Sequence, residues 1–204
     1  MLRPGSLGHR VGRVEPHPIR LVVTDDLQRT RITVFFRLLL AIPHFIWIAL
    51  WTVAVVFAVL FAWFAALFTK RVPAGLHDFI ARYQRYTVHV FAYAALAADP
   101  FPPFGGREGT YPVDLVVAPP VEQSRLTVFF RVLLAIPALF IGNVLNSLIE
   151  IVAFFAWFVC LFLGRMPEGM RNLIVFVLRF HVQTQAYVSL LTPRYPSVNI
   201  GLAE

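Results

Sequence analysis

The sequence is poor in charged residues. Of its 204 residues, 14% are Asp, Glu, Lys or Arg and 58% are hydrophobic. Residues 38–68, a run of 31, contain none of these four charged types. A membrane-spanning helix needs roughly 18 such residues, and a soluble core helix this long and apolar would be unusual. The lack of charge therefore favours an integral membrane protein.

Other absences exclude several classes of function. The one cysteine, Cys160, excludes a disulfide framework or a cysteine-based metal site within one chain. The first 30 residues lack the apolar core of a signal peptide, so we expect the first spanning helix to direct insertion. No nucleotide-binding motif, GxSxG or HExxH occurs, and the histidines lack metal-ligand spacing. We therefore expect no enzyme activity, no cofactor and no metal.

The sequence instead contains one phrase twice. Residues 31–43 read RITVFFRLLLAIP and residues 125–137 read RLTVFFRVLLAIP, with 11 of 13 positions identical. The same offset of 94 residues aligns shorter matches along most of the chain, which indicates two copies of one structural unit. We divide the chain into a basic N-terminal tail (1–16), repeat 1 (17–104), a linker (105–110) and repeat 2 (111–204).

Each repeat opens with an extended segment and an amphipathic helix. The runs HPIRLVVT and YPVDLVVAP alternate in the manner of strands, and we expect them to form a small sheet outside the bilayer. The amphipathic segments 27–42 and 122–136 predict interfacial helices, with a break or a kink at Pro43 and Pro137. The alternative is that each amphipathic segment simply begins the helix that follows.

Two spanning helices then follow in each repeat, joined by a short charged turn. We place them at 44–68 and 76–98 in repeat 1, and at 138–163 and 170–192 in repeat 2. The second helix of each pair is less apolar, and a surface helix is the alternative. The predicted fold class is an all-α integral membrane protein with four transmembrane helices arranged as two tandem helical hairpins.

The arrangement of the repeats predicts an orientation. Direct repeats with an even number of spans point the same way, so we expect a pseudo-twofold axis along the membrane normal and both turns on one side. Lys and Arg number 11 on the side of the tail and linker and four on the side of the turns. The positive-inside rule then places both termini in the cytoplasm.

The basic charge indicates lipid contacts. A net charge of +7 in so apolar a chain suits anionic lipid headgroups better than nucleic acid. We expect these contacts to come from the arginines of the amphipathic segments: Arg29, Arg31, Arg37, Arg125 and Arg131.

Polar residues within the predicted spans are the candidate functional residues. They are Arg85 and His89, the matching Arg179 and Gln183 of repeat 2, and a face of Asn143, Asn146 and Glu150 found in repeat 2 alone. An ionisable group in mid-span is costly, so Glu150 is a functional hypothesis. We expect it to pair with an arginine or His89, or to face a partner protein. The alternative is that all these groups only hold helices together.

The twin TVFFR…LLAIP phrases, the GRMPEG turn, the AY…LLT stretch and the closing YP resemble a family of bacterial membrane proteins known as domain of unknown function DUF4389. The first turn, TKRVPAG, and the stretch AALAADPFP depart from that pattern. The resemblance covers nearly the whole chain. It implies a multi-pass protein of the bacterial inner membrane and implies no activity.

Two function hypotheses follow. The first is a non-enzymatic accessory or scaffolding subunit that packs against a larger membrane complex or its lipids. The second is a small homo-oligomeric transporter or channel that uses Glu150 and the stripe of Arg85, Arg179 and His89. A membrane enzyme acting on lipids is third, because nothing resembles a nucleophile–base pair.

Overall fold

The computed structural model describes residues 17–197 and is mostly helical. The basic tail and residues 198–204 lie outside the described residues. In chain order the elements are β1 (Ile19–Val23), α1 (Arg31–Thr69), α2 (Ala74–Ala94), β2 (Val113–Val117), α3 (Arg125–Phe129), α4 (Arg131–Leu163) and α5 (Glu168–Val188). Each repeat therefore contributes a strand, a long apolar helix and a helix of 21 residues.

The long helices pass through their prolines. α1 is one helix of 39 residues that contains Pro43, and α4 contains Pro137. Proline removes one hydrogen bond of the helix, but Ala41 and His44 on either side of Pro43 are fully buried and hold the chain in place. The predicted break at the prolines is wrong. In repeat 2 the interruption comes earlier, at Phe130, between α3 and α4.

Three layers make up the molecule. α2 and α5 contact each other and form the middle layer, with α1 packed on α2 and α4 packed on α5. On the other side of this layer, β2 contacts α2 and β1 contacts α5. Among the described elements, neither strand contacts α1 or α4. The long apolar helices are thus separated from the sheet by the middle layer.

The two strands form the predicted small sheet. They pair antiparallel, with Ile19 opposite Val117 and Val23 opposite Val113. The sheet lies against the middle of the helices, because the Arg85 side chain of α2 donates to the carbonyl oxygen of Leu115 at 2.8 Å.

The same part of α2 packs against the middle of α1. Tyr86 hydrogen-bonds His44 at 2.6 Å, and Tyr83 hydrogen-bonds Thr52 at 2.7 Å. Both contacts lie within the middle part of Arg31–Thr69, with Thr52 two residues and His44 six residues from its central residue. The sheet is therefore at the level of mid-α1 and does not lie beyond an end of the helices.

The two repeats pack antiparallel to each other. Near the start of α1, the carbonyl oxygen of Val34 accepts a hydrogen bond from Trp157 near the end of α4, at 3.0 Å. At the opposite end, Trp63 donates to the carbonyl oxygen of Val128 at 3.0 Å. α1 and α4 are therefore antiparallel.

The turns confirm this antiparallel packing. The N–H of Arg29 donates to the carbonyl oxygen of Gly164, in the turn of repeat 2. The N–H of Gln123 donates to the carbonyl oxygen of Lys70, in the turn of repeat 1. The predicted arrangement, in which both hairpins point the same way and both turns lie at the same end of the helices, is wrong. Each turn lies beside the segment that precedes the first helix of the other repeat, so the count of 11 against four positive charges no longer supports an orientation.

Two helices, α1 and α4, are long and apolar enough to cross a membrane by length and composition. Among the described residues, α2 and α5 do not meet that test. The sequence predicted four spans, and the structure supports two candidates.

Candidate functional site

An apolar surface covers the outer sides of α1 and α4. Eight of its large side chains are between 41% and 72% exposed: Phe57, Phe61, Phe64, Phe68, Phe140, Ile151, Phe154 and Phe158. The inner sides carry small buried residues, such as Ala62 and Ala156, which let the helices approach closely. Monomeric soluble proteins rarely expose so large an apolar patch, which indicates a membrane or a protein partner.

Arg37 of the first TVFFR phrase holds the end of α2. Its side chain is 1% exposed and donates to the carbonyl oxygens of Tyr93 and Ala98, each at 2.8 Å. It also forms an ion pair with Asp99 at 2.7 Å. The guanidinium lies 4.5 Å from the centre of the Tyr93 ring, a cation–π contact. The positive charge of Arg37 is also stabilised by the negative, C-terminal end of the α2 helix dipole.

Arg131 of the second phrase makes the same contacts at the end of α5. It donates to the carbonyl oxygens of Tyr187 at 3.2 Å and Thr192 at 2.8 Å. Its third bond goes to the side-chain oxygen of Gln123. The guanidinium lies 4.3 Å from the centre of the Tyr187 ring. The repeated phrase therefore encodes a brace between the long and the short helix of each repeat.

The predicted lipid contacts are wrong for three arginines. Arg37 and Arg131 are buried in these braces, and Arg29 is 4% exposed. Arg29 donates to the carbonyl oxygen of Leu96 at 3.0 Å and pairs with Asp25 at 2.7 Å. Buried arginines need such partners, which the helix periodicity did not reveal. Arg31 and Arg125 are exposed, and their lipid contacts remain predictions.

Arg85 and His89 of α2 join a buried polar cluster with β2. His89 Nε2 lies 2.8 Å from Asp114 Oδ1, and Arg85 pairs with Glu108 at 3.1 Å. Burial raises the pKa of Asp114, but hydrogen bonds from His89 and from the N–H groups of Gly109 and Leu115 outweigh it. The pKa of Asp114 is therefore below its ordinary value. The cluster fastens the sheet to the middle layer.

The matching residues of repeat 2 serve the sheet in a different way. Gln183 is 2% exposed and donates to the carbonyl oxygen of Ile19 at 3.1 Å, while its own oxygen accepts from the N–H of Ser197. Arg179 lies with its guanidinium 5.7 Å from the centre of the Phe176 ring. Gln183 therefore anchors β1 as His89 anchors β2.

The polar face of α4 remains apart from these groups. Asn143 and Glu150 are exposed, and Asn146 is half-buried. Asn146 donates to Glu150 at 2.9 Å within the same helix. Among the described residues Glu150 forms no ion pair, so its predicted pairing with Arg85, Arg179 or His89 is wrong. The middle layer holds Arg85 and His89 against the sheet, and Glu150 lies on the outer layer.

Sequence reasoning missed the partners of the buried arginines. Asp114 carries the clearest signal, because it is an acidic residue within a predicted extended segment of alternating Val and Leu and aligns with Arg20 in repeat 1. Within residues 17–197, no group of three or more His, Cys, Asp or Glu side chains could hold a metal ion.

Comparison with known proteins agrees with the repeat structure. The profile of a family described as a domain of unknown function (DUF4389) matches residues 31–105 and again residues 125–198. Neither a curated protein nor a solved structure matches the chain. Because the two matches cover most of the sequence, the chain belongs to the DUF4389 family and contains two tandem copies of its domain.

Proposed function

We propose that the protein is a non-enzymatic scaffolding subunit held in the membrane by α1 and α4, which lie along the bilayer plane and do not cross it upright. The sheet side faces water, and the apolar side packs against lipids and a larger membrane complex. Three features of the structure support this proposal.

The first feature is the position of the sheet. If α1 and α4 stood upright, a two-stranded sheet at the level of mid-α1 would lie in the hydrocarbon. Its two open edges would leave backbone N–H and C=O groups without water, at a cost of several kcal/mol each. Exposed charged residues of the sheet side, including Arg20 and Glu108, would be there too. Helices in the bilayer plane leave this side in water.

The second feature is length. At about 1.5 Å per residue, the uncharged run 38–68 extends for about 46 Å. The hydrocarbon core is about 30 Å thick, so an upright helix would have about 50% more apolar residues than it needs to cross the bilayer. Reducing 46 Å to 30 Å requires a tilt of roughly 50°, beyond the usual range of about 0–40°.

The third feature is the polar face of α4. Glu150 is an exposed carboxylate on an otherwise apolar helix, and the hydrogen bond from Asn146 does not neutralise it. A charge in hydrocarbon is costly unless another group pairs with it. A membrane partner with a donor at this position accounts for a face that repeat 1 lacks. This observation supports the accessory role most directly.

The transporter alternative has less support. It required Glu150 to share a path with Arg85 and His89. These two residues bond to the 105–117 segment on the far side of the middle layer. Among the described residues, no contact joins Glu150 to Arg85 or His89.

Purification of the tagged protein from its own membranes in mild detergent, followed by native mass spectrometry, tests the accessory role. We expect a second protein in fixed stoichiometry. A lone chain or a homo-oligomer would contradict the proposal and favour flux assays on the reconstituted protein.

A further inference from the structure

The antiparallel packing brings basic side chains of the two repeats together at each end of the apolar surface. At one end, Lys70 and Arg71 in the turn of repeat 1 lie beside Arg125 at the start of α3. The Arg125 guanidinium donates to the carbonyl oxygen of Phe68 at 2.9 Å, and the N–H of Gln123 donates to that of Lys70 at 2.8 Å. These three basic residues form the first basic site.

The matching residues form a second basic site at the opposite end. Arg165 in the turn of repeat 2 lies beside Arg31 at the start of α1. The N–H of Arg29 donates to the carbonyl oxygen of Gly164 at 3.0 Å. Arg31 covers this glycine, because a Cβ there would lie 3.3 Å from Arg31 Nε. Each site therefore combines the turn of one repeat with a helix start of the other.

Both sites have a net positive charge. In the first, Glu122 pairs with Arg71 at 3.0 Å, which leaves three basic residues against one acid, a net charge of +2. In the second, Gln28 takes the position of Glu122, so its two arginines also give +2. Within residues 17–197, no ion pair involves the other four basic residues: Lys70, Arg125, Arg31 and Arg165.

Neither the helix dipoles nor neighbouring acids cancel this charge. α1 begins beside the end of α4, and α3 begins beside the end of α1, so opposite ends of helix dipoles adjoin at both sites. Two acids lie near the second site, but Asp99 is paired with Arg37 at 2.7 Å and Glu168 with Arg171 at 3.8 Å. The exposed basic side chains therefore set the sign of the potential.

Exposed apolar side chains adjoin both sites. They are between 69% and 73% exposed: Phe68 and Leu126 at the first site, Ile32 and Leu163 at the second. A soluble anion makes no use of them. A phospholipid does, because its phosphate can meet the basic side chains while its acyl chains cover the apolar ones. The combination of positive charge and apolar area thus favours an anionic lipid over a soluble anion.

We propose that each basic site binds the phosphate of one anionic phospholipid, of the phosphatidylglycerol class, so that one chain holds two lipids. Guanidinium groups donate to the phosphate oxygens, a strong charge-assisted contact. α1 has 39 residues and separates the sites by about 57 Å at about 1.5 Å per residue, so one lipid cannot occupy both. The inference rests on the membrane location in the proposed function, but it requires neither the in-plane placement nor a protein partner.

The test uses the purified full chain in a nonionic detergent, with native mass spectrometry as readout. The probes are dioleoylphosphatidylglycerol, dioleoylphosphatidylcholine, which has no net charge, and glycerol 3-phosphate, which has no acyl chains. We expect two dioleoylphosphatidylglycerol molecules per chain and at least about tenfold weaker binding of the other probes, because each basic residue contributes about fivefold to the affinity for an anionic lipid. Equal binding of phosphatidylcholine or of glycerol 3-phosphate, or no binding of dioleoylphosphatidylglycerol, would overturn the proposal.

Two double variants locate the sites. Lys70→Gln with Arg125→Gln should remove one of the two lipids, because the first site then has no net charge. Arg31→Gln with Arg165→Gln should remove the other, and the fourfold variant should retain neither. Two lipids on each double variant would place the binding elsewhere and refute the assignment.

The matched control removes the same charge from the sheet side. Arg82→Gln with Arg107→Gln changes two exposed arginines of α2 and of the 105–112 segment, and both lipids should remain. Equal loss of lipid from this control would show that net charge alone governs binding, against the proposal. The assay proceeds without a partner, so its failure and that of the scaffolding proposal are separate results.

Discussion

The indole N–H of Trp63 in repeat 1 donates to the carbonyl oxygen of Val128 in repeat 2 at 3.0 Å. Trp157 makes the reciprocal bond to Val34 at the same distance. Each tryptophan of an AWF motif therefore holds the TVFFR phrase of the other repeat. Two motifs that occur once in each repeat are thus the two halves of one contact, and this contact makes the repeats antiparallel.

Replacing either tryptophan should weaken the join between repeats. Trp63→Phe and Trp157→Phe each remove one hydrogen bond, worth about 1 kcal/mol, and part of a ring contact. Unfolding midpoints in detergent measure the loss. Trp47→Phe is the matched control, because Trp47 is 46% exposed and should change little. Equal midpoints for all three variants would argue against the antiparallel join.

Loss of an arginine brace should be far more damaging. Arg37→Met leaves Asp99 and the carbonyl oxygens of Tyr93 and Ala98 without their donor. Breaking one side of a buried ion pair costs about 3–5 kcal/mol. The control Arg31→Met, at an exposed residue, should stay within about 0.5 kcal/mol. Thermal unfolding in detergent compares the two, and similar stability would contradict the brace.

The Asp114 cluster predicts acid sensitivity. Because the pKa of Asp114 is lower in the folded chain than its ordinary value of 3.8, its ionised form stabilises the fold above that value. This stabilisation is lost as the pH falls below 3.8 through the folded pKa. Asp114→Asn should therefore lower stability at pH 7 and flatten its decrease at acid pH. Unfolding midpoints from pH 2.5 to pH 7 measure both. A parallel decrease in the variant and the unaltered protein would contradict the assignment.

Glu150→Gln should affect assembly and leave the fold intact. The exposed side chain keeps an oxygen that accepts from Asn146, so unfolding in detergent should be unchanged. Yield of the co-purified partner should decrease, because the charge that it pairs with is lost. Glu122→Gln is a control at an exposed ion pair with Arg71, outside α4. Unchanged yield with Glu150→Gln would remove this residue from the interface.

Local pattern predicted much of the fold. The offset of 94 residues, the apolar runs and the alternating segments gave the repeats, the long helices and the paired strands. Periodicity could not reveal how the repeats pack, because parallel and antiparallel packing bury the same alanine faces. The deciding contacts, such as Trp63 with Val128, join residues 65 apart.

The candidate residues were also predicted only in part: the helical face could be read from the sequence, but the contacts of its residues could not. Arg85, His89 and Gln183 were singled out for their helical face, and they do share a role in fastening the strands. Their partners lie in the strands, in the 105–112 segment and at Ser197, so sequence spacing gave no hint of them. Arg37 and Arg131 were misassigned because an arginine on an amphipathic helix looks the same whether it meets a headgroup or a buried helix end.

Cysteine labelling tests the in-plane placement of α1 most directly. Cys160→Ala removes the native thiol and installs the residue that repeat 1 has at the matching position, Ala66. In that background, Arg31→Cys and Arg71→Cys mark the two ends of α1, and Phe57→Cys marks its apolar side. A membrane-impermeant maleimide is added to sealed vesicles of one orientation. The in-plane account predicts that both end positions react from the same side and that Phe57→Cys does not react. Reaction of the two ends from opposite sides would show that α1 crosses the bilayer and would contradict the account.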